Sequence, residues 1–251
     1  MAVLAGLAAP GTAAVAAEGD ADKGNWVYTD RWGVIGRNTL GSPTADLRFG
    51  PWGRTSPTQN AARQDPPYGR GSLGIIVAGP QVPGDVLTAE KVAFGNEKEY
   101  AGVRLSSIRT LQYSIFTGMD TTGAALPGIS FEIDPNLTTG VDYSTIGYLP
   151  QDSTSPSAPD TPALNVWQRY DAAADGSAWF ATGPTGPAIN CEPTDPCTFA
   201  ELKAALPNAV ITYSVQFQKG RDNAFVGAVD GLRINDTIYD FEFNGVRKRR
   251  A

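Results

Sequence analysis

The stretch 128-GISFEIDPN-136 alternates apolar and polar side chains with the two-residue period of a β-strand. In a strand, Ser130, Glu132 and Asp134 share one face, while the aliphatic and aromatic residues between them share the other. Pro135 then ends the ladder because it has no backbone N–H to donate. The stretch therefore predicts a strand with one face in an apolar core and one face that carries two carboxylates.

Segments of similar length and pattern recur from residue 111 to residue 243, and Gly, Pro, Asn or Asp turns separate them. They are LQYSIF, GISFEID, YSTIGYL, LNVWQRYD, SAWFAT, VITYSVQFQ, FVGAVDGLRI and TIYDFEF. Residues 41–74 are rich in turn formers and predict loops between short strands. No repeat or break in composition divides residues 26–243, so we expect a single domain.

One segment, 197-CTFAELKAALPNA-209, has the signals of a helix. Thr198 can act as the N-cap, Glu201 can complete a capping box, and Pro207 ends the helix. Many short strands with one short helix predict an all-β protein in which two antiparallel sheets pack face to face. We expect a jelly-roll sandwich.

The composition excludes several classes of function. The chain has 251 residues, 20 basic against 26 acidic and a net charge of −6, which is not the basic character of a nucleic-acid-binding protein. It contains no histidine, so it has no Ser-His-Asp triad and no His-ligated zinc. Carboxylates remain available, which leaves two-carboxylate hydrolysis of glycosides as the main enzymatic possibility.

The two ends of the chain predict segments outside the domain. Residues 1–17 are apolar and small, with a small-x-small site at 14-AVA-16, and predict a secretory signal peptide. The domain would then cover residues 18–245, and residues 246–251 would form a short basic tail. No later segment reaches the roughly 18 apolar residues of a membrane span, so we expect a secreted protein.

The two cysteines, Cys191 and Cys197, flank the short segment EPTDP. Two prolines and an aspartate favour a tight turn that brings the thiols together, and a secreted protein meets an oxidising environment. A metal or redox site is the alternative, but the chain offers neither histidine nor further cysteines for it. We therefore predict a structural disulfide.

The order of several segments resembles that of bacterial extracellular domains of the concanavalin A-like lectin and glucanase kind. The segments that carry the resemblance are NWVYTD, PPYGRGSLGI, LSSIRTLQYSIFTG, ISFEID, FAELKAALPNA, VGAVDGLRIN and YDFEF. The resemblance spans nearly the whole chain after residue 17. It implies a jelly-roll fold and secretion, and it brings no catalytic residues with it.

The segment FEID is also similar to the start of the E-[aliphatic]-D-x-x-E strand motif of laminarinase-type glycoside hydrolases. In that motif the first Glu is the nucleophile and the last Glu is the acid, but here Leu137 holds the position of the acid. Retaining hydrolysis needs a second carboxyl group about 5 Å from the first. A glycoside hydrolase or polysaccharide lyase using Glu132, with Asp134 or an acid from another strand, therefore remains an alternative.

Six residues are candidates for ligand binding because planar amides, carboxylates and arginine bind sugar hydroxyls, and aromatic rings pack on sugars. They are Gln112, Glu132, Asp134, Trp167, Arg169 and Gln216. In VITYSVQFQ, strict alternation places Gln216 with Ser214 on a polar face and Tyr213 with Val215 on the apolar face. Strand residues of these types also occur as ordinary core aromatics and solvated polar groups.

These observations favour a secreted, non-catalytic protein that recognises glycan or another extracellular surface component through a sheet face or groove. The enzyme described above is one alternative, and an extracellular protein–protein interaction module is another. We predict no cofactor, although a structural calcium near Glu132 or another acidic loop is left open. We expect neither a nucleic-acid partner nor a membrane span, and the sequence leaves the oligomeric state open.

Overall fold

The computed structural model describes residues 25–58, 60–82, 84–137 and 140–251, and the predicted signal peptide lies outside them. Within these ranges the chain forms sixteen β-strands and two short α-helices. The strands are β1 (Val27–Thr29), β2 (Trp32–Val34), β3 (Thr44–Phe49), β4 (Gly53–Arg54), β5 (Arg63–Gln64), β6 (Gly71–Val77), β7 (Val92–Asn96), β8 (Leu111–Thr117), β9 (Gly128–Asp134), β10 (Ser144–Tyr148), β11 (Trp167–Asp171), β12 (Trp179–Ala181), β13 (Val210–Lys219), β14 (Phe225–Ile234), β15 (Thr237–Glu242) and β16 (Gly245–Arg250). The helices are α1 (Thr185–Ala188) and α2 (Phe199–Ala205).

Fourteen of these strands form two antiparallel sheets. Sheet I has eight strands in the order β1-β16-β15-β14-β6-β3, with β8 along the opposite edge of β14 and β11 next to β8. Sheet II has six strands in the order β12-β10-β9-β13-β7-β2. Strands β4 and β5 form a separate two-stranded ribbon. The predicted all-β, two-sheet sandwich is confirmed, and its arrangement is compatible with a jelly roll.

The core lies between the sheets and is built from the apolar faces that the alternation predicted. Phe131 and Ile133 of β9 are fully buried in it, as are Val215 and Phe217 of β13. Trp179 is also completely buried and stacks on Phe131, with the ring centroids 5.9 Å apart and the planes 5° apart. Burial of such large side chains supplies most of the driving force for folding. The polar faces of the same strands consequently point away from the core.

The predicted helix and disulfide are both present. Thr198 caps α2, and Glu201 completes the capping box by accepting from the Thr198 backbone N–H at 2.8 Å. Cys191 and Cys197 are joined by a disulfide. The helix α1 was not predicted, and it is only a single turn of four residues. No helix in the described part of the chain is both long and apolar enough to cross a bilayer.

The predicted basic tail at residues 246–251 is instead part of the sandwich. Residues up to Arg250 form β16, which lies between β15 and β1. Val246 is buried in the core, and Arg247 Nε donates to the buried carboxylate of Asp240 at 2.6 Å. The domain therefore extends to Arg250, because alternate residues of this segment have apolar or charged partners in the sheet.

Removal of the helix cap tests the local folding signal. We expect Thr198→Ala to lower the free energy of unfolding by about 1 kcal/mol, because the N-cap hydroxyl accepts from the Glu201 backbone N–H. Urea unfolding followed by circular dichroism measures this loss. The matched control is Thr122→Ala, since Thr122 is exposed and its hydroxyl has no partner among the described residues. Equal stability of the two variants would contradict the capping assignment.

Candidate functional site

The polar residues of sheet II meet on its outer face, the face that points away from the core. The register places Gln216 of β13 opposite Ser130 of β9, with Gly95 of β7 on one side and Gly147 of β10 on the other. Gly147 leaves room for the ring of Phe180, because a Cβ there would lie 2.7 Å from Phe180 Cε1. The sequence prediction that Ser130, Glu132 and Asp134 share this face is confirmed by the burial of the residues between them.

Glu132 lies at the centre of a hydrogen-bond network on this face. Its side chain is only 1% exposed. Oε1 accepts from Asn38 Nδ2 at 3.1 Å and from the Tyr143 hydroxyl at 2.8 Å. Oε2 accepts from the Ser214 hydroxyl at 2.6 Å and is also ion-paired with Arg37 Nη2. Each carboxylate oxygen therefore accepts from two donors, which compensates for the loss of water around a buried charge.

A β-bulge in β13 brings Ser214 to Glu132. Between the pairs formed by Ile211 and Val215, three residues of β13 stand opposite Glu132 alone. A bulge bends the strand and changes the direction of its side chains. Tyr213 consequently points to solvent with 55% of its surface exposed, and the Ser214 hydroxyl points to the carboxylate.

A short 3-10 turn at Gly36–Asn38 supplies the two donors from the edge of the sheet. The chain is bonded to β7 on both sides of this turn, through Ile35 N to Ala93 O at 2.9 Å and Leu40 N to Lys91 O at 2.8 Å. The turn itself reaches over the outer face, where Asn38 Nδ2 also donates to Gln216 Oε1 at 3.1 Å. Pairing with β7 therefore positions the turn over the sheet.

These residues line an open pocket of about 530 Å³, formed by Arg37, Asn38, Glu132, Tyr143 and Tyr213. The tyrosine rings lie at its surface, 42% exposed at Tyr143 and 55% at Tyr213. Their centroids are 5.8 Å apart and their planes are tilted by 55°. The guanidinium carbon of Arg37 lies 5.9 Å from the centroid of the Tyr213 ring. The pocket thus combines two exposed aromatic rings with a charged and amide-bearing floor.

The network also sets the protonation states in the pocket. Burial acts to raise the pKa of Glu132, but the hydrogen bonds from Arg37, Ser214, Asn38 and Tyr143 lower it more, so the pKa lies below its ordinary value. Burial and the bond to Glu132 raise the pKa of Tyr143, which keeps its proton and acts as a donor. Glu132 is therefore ionised at neutral pH and holds no proton to give as a general acid.

The structure brings together two of the six predicted ligand residues, Glu132 and Gln216, which share Asn38 as a donor. Asp134 lies on the same face, but its side chain stabilises the turn that follows β9, because its Oδ1 accepts from Asn136 N at 2.8 Å. Glu132 and Asp134, the two carboxylates of the enzyme alternative, therefore have different hydrogen-bond partners in the structure.

The other three candidates lie on sheet I. Gln112 Nε2 donates to Asp171 Oδ2 at 2.5 Å, and Arg169 bonds to the same Gln112 side chain. Trp167 is only 7% exposed, and its Nε1 donates to Pro51 O at 2.9 Å. Trp167 was predicted to contact a ligand, but little of its ring is accessible to one.

Sequence reasoning missed Arg37, Asn38, Tyr143 and Tyr213. Strict alternation placed Tyr213 in the core, and the bulge reverses this placement. Arg37 and Asn38 come from a loop with no motif around them, and they contact Glu132 across about 95 residues of sequence. Tyr143 directly precedes β10, a strand that the sequence did predict. Its place at the start of the predicted segment YSTIGYL was the only feature of the sequence that could have pointed to Tyr143.

A calcium site was left open by the sequence. Within the described ranges there is no group of three or more His, Cys, Asp or Glu residues that could hold a metal ion. At Glu132, both oxygens are occupied by protein donors. The groups around Glu132 are hydrogen-bond donors that bind its own carboxylate.

Comparisons with protein-family models, with curated proteins and with solved structures find no match to this chain. What the structure defines is a β-sandwich with a polar, aromatic-flanked pocket on the outer face of sheet II. The function is accordingly argued from the chemistry of that pocket.

Neutralising Glu132 tests the network. We expect Glu132→Gln to lower the free energy of unfolding by about 1 to 3 kcal/mol at pH 7, because the amide replaces two acceptor positions by donors. Folding lowers the pKa of Glu132, so the ionised carboxylate stabilises the folded protein fully at pH values above its unfolded-state pKa of about 4.3. This difference in unfolding free energy between the unmodified protein and Glu132→Gln is lost as the pH falls through the folded-state pKa of Glu132. Chemical unfolding between pH 3 and pH 7 measures both effects.

The control for this test is Glu97→Gln, since Glu97 also pairs with Arg37 but is 49% exposed. An exposed ion pair contributes less than about 1 kcal/mol, so this variant should remain close to the unmodified protein. A Glu132→Gln loss no larger than that of Glu97→Gln would show that the network does not depend on the buried charge.

Proposed function

We propose that this protein is an extracellular, non-catalytic binding protein that holds a saccharide on the outer face of sheet II. The observation that carries the proposal is the pocket in which two exposed tyrosine rings flank a fixed set of polar groups. Such a combination suits a sugar, whose ring has an apolar face and a rim of hydroxyls.

The polar groups are held in place before any ligand arrives. Glu132 fixes Asn38 and Tyr143 through Oε1 and Arg37 through Oε2, so their rotamers are already restricted. Pre-organisation lowers the entropy cost of binding. Arg37 keeps 45% of its side chain exposed, which leaves N–H groups directed to a ligand. The fully buried Gln216 holds Asn38 from below, because its Oε1 accepts from Asn38 Nδ2 at 3.1 Å.

Three features support an extracellular location. The Cys191–Cys197 disulfide is typical of proteins that fold in an oxidising compartment. Residues 1–17 have the pattern of a secretory signal peptide. The resemblance to concanavalin A-like extracellular domains implies secretion as well.

The charges in the pocket favour binding over catalysis. A glycosidase needs one carboxyl group that is protonated and able to donate. Glu132 is ionised, and the carboxylate linked to it through a shared partner is Glu97, on the other side of the Arg37 guanidinium. One guanidinium thus pairs with both carboxylates, and its positive charge helps to lower the pKa of Glu132 rather than to raise it as a general acid requires.

A protein partner is the second candidate, and one observation favours it. Phe49 and Phe243 stack on the surface with their centroids 3.9 Å apart, and both are about half exposed, at 52% and 47%. Exposed apolar patches of this kind occur at interaction surfaces. This patch belongs to strands and turns of sheet I and is separate from the pocket.

A glycan-array screen with and without calcium, followed by a product assay on each bound glycan, tests the proposal. We expect saturable binding without cleavage, and a loss of about tenfold in affinity in Tyr213→Ala, because an aromatic contact contributes on the order of 1 kcal/mol. Tyr28→Ala is the matched control, since Tyr28 is equally exposed, at 56%, but lies in β1 of sheet I.

The other outcomes separate the alternatives. Cleavage that disappears in Glu132→Gln would make the protein an enzyme and overturn the non-catalytic assignment. Equal losses in Tyr213→Ala and Tyr28→Ala would remove the pocket from the binding site. Absence of binding across the array would favour the protein partner at the Phe49 and Phe243 patch.

A further inference from the structure

Two cations beside the pocket have no partner in the described structure. Lys91 directly precedes β7, and because Val92 points into the core, Lys91 points to the outer face of sheet II. Arg221 follows β13, the neighbouring strand. Both residues are half-buried, and neither the Lys91 ammonium nor the Arg221 guanidinium makes a hydrogen bond or ion pair with a described residue. A partly buried charge without a counter-charge costs stability.

Val92 of β7 pairs with Lys219 of β13, so Lys91 and Arg221 lie at neighbouring ends of these two strands. Burial lowers the pKa of Lys91, the positive charge of Arg221 lowers it further, and the negative charge of Glu132 opposes the shift. Glu132 cannot neutralise Lys91 fully because it is already paired with Arg37. The acidic neighbour of Arg221, Asp222, is 3.7 Å from the ammonium of Lys219 and is partly neutralised there.

The acidic side chains near these cations already have other partners. Arg37 pairs with both Glu97 and Glu132, and Asp222 lies 3.7 Å from the ammonium of Lys219. Lys91 and Arg221 are therefore the two cations at this end of the outer face that lack a hydrogen-bonded or ion-paired counter-charge among the described residues.

We propose that the ligand of this pocket is an acidic saccharide, and that its carboxylate or sulfate group is bound by Lys91 and Arg221. The inference rests on the proposed saccharide-binding function and adds the charge of the ligand to it. An anion would give both cations a counter-charge and would accept charge-assisted hydrogen bonds from them. The tyrosine pair and Arg37 would then hold the sugar ring that carries the anion.

Titration calorimetry with a matched pair of probes tests the charge of the ligand. The probes are a short oligogalacturonate and its methyl ester, which differ only in the charge of the carboxyl groups, and a sulfated oligosaccharide of the same length forms a third arm. We expect the free acid or the sulfated probe to bind at least about tenfold more tightly than the neutral ester, with the affinity falling as salt is added. The better of these two probes identifies the anionic group.

Three variants locate the anion. Lys91→Met and Arg221→Gln should each weaken binding of the acidic probe about tenfold and leave binding of the neutral ester unchanged, since only a charge-assisted bond is lost. Arg109→Gln removes the same charge from an exposed residue outside the pocket and should bind as the unmodified protein does. Thermal unfolding gives a second readout, because Lys91→Met removes a half-buried, unpaired charge and should be at least as stable as the unmodified protein.

The failures of the two proposals are distinguishable. Equal affinities for acid and ester, or an unchanged affinity for the acid in Lys91→Met and Arg221→Gln, would overturn the acidic ligand while sugar binding stands. A clear loss of thermal stability in Lys91→Met would show that Lys91 has a structural partner, which also contradicts the inference. Binding of no saccharide, neutral or acidic, would overturn the proposed function and this inference with it.

Discussion

The site depends on the buried carboxylate of Glu132. A charge with 1% side-chain exposure is tolerated only when hydrogen bonds replace its water, and here four donors do so. They come from the turn at Gly36–Asn38, from the residue before β10 and from the bulge in β13. One side chain thereby joins three segments that are far apart in sequence. The pocket exists because these segments converge on a single charge.

On the outer face of sheet II, two glycines let neighbouring side chains pack closely against the strands. Gly95 and Gly147 flank the row formed by Gln216 and Ser130. A Cβ at Gly95 would lie 2.6 Å from the Cβ of Gln216, so a larger residue would displace the amide that Asn38 holds. Tyr143 and Tyr213 are exposed at the rim of the pocket above Arg37, Asn38 and Glu132, whereas Trp167 of sheet I is only 7% exposed.

The charges beside the pocket are not all paired. Arg37 pairs with both Glu97 and Glu132, whereas Lys91 and Arg221 make no ion pair with any residue in the described ranges. Natural proteins commonly keep such unfavourable arrangements where function requires them. In the acidic-saccharide proposal, the ligand supplies the charge that the folded chain lacks.

The sequence by itself determined the class of fold and the secondary structure of its second half up to β15. Two-residue alternation identified the strands from β8 to β15, the capping box identified α2, and the cysteine spacing identified the disulfide, because each of these is a local signal. It also placed Glu132 on a polar face. Only the tertiary structure decided that Glu132 meets Arg37 and not Asp134, that Tyr213 points outward, and that Trp167 is covered. Those facts depend on a bulge and on contacts between distant segments, and neither of these can be recognised from the alternation of apolar and polar residues in the sequence.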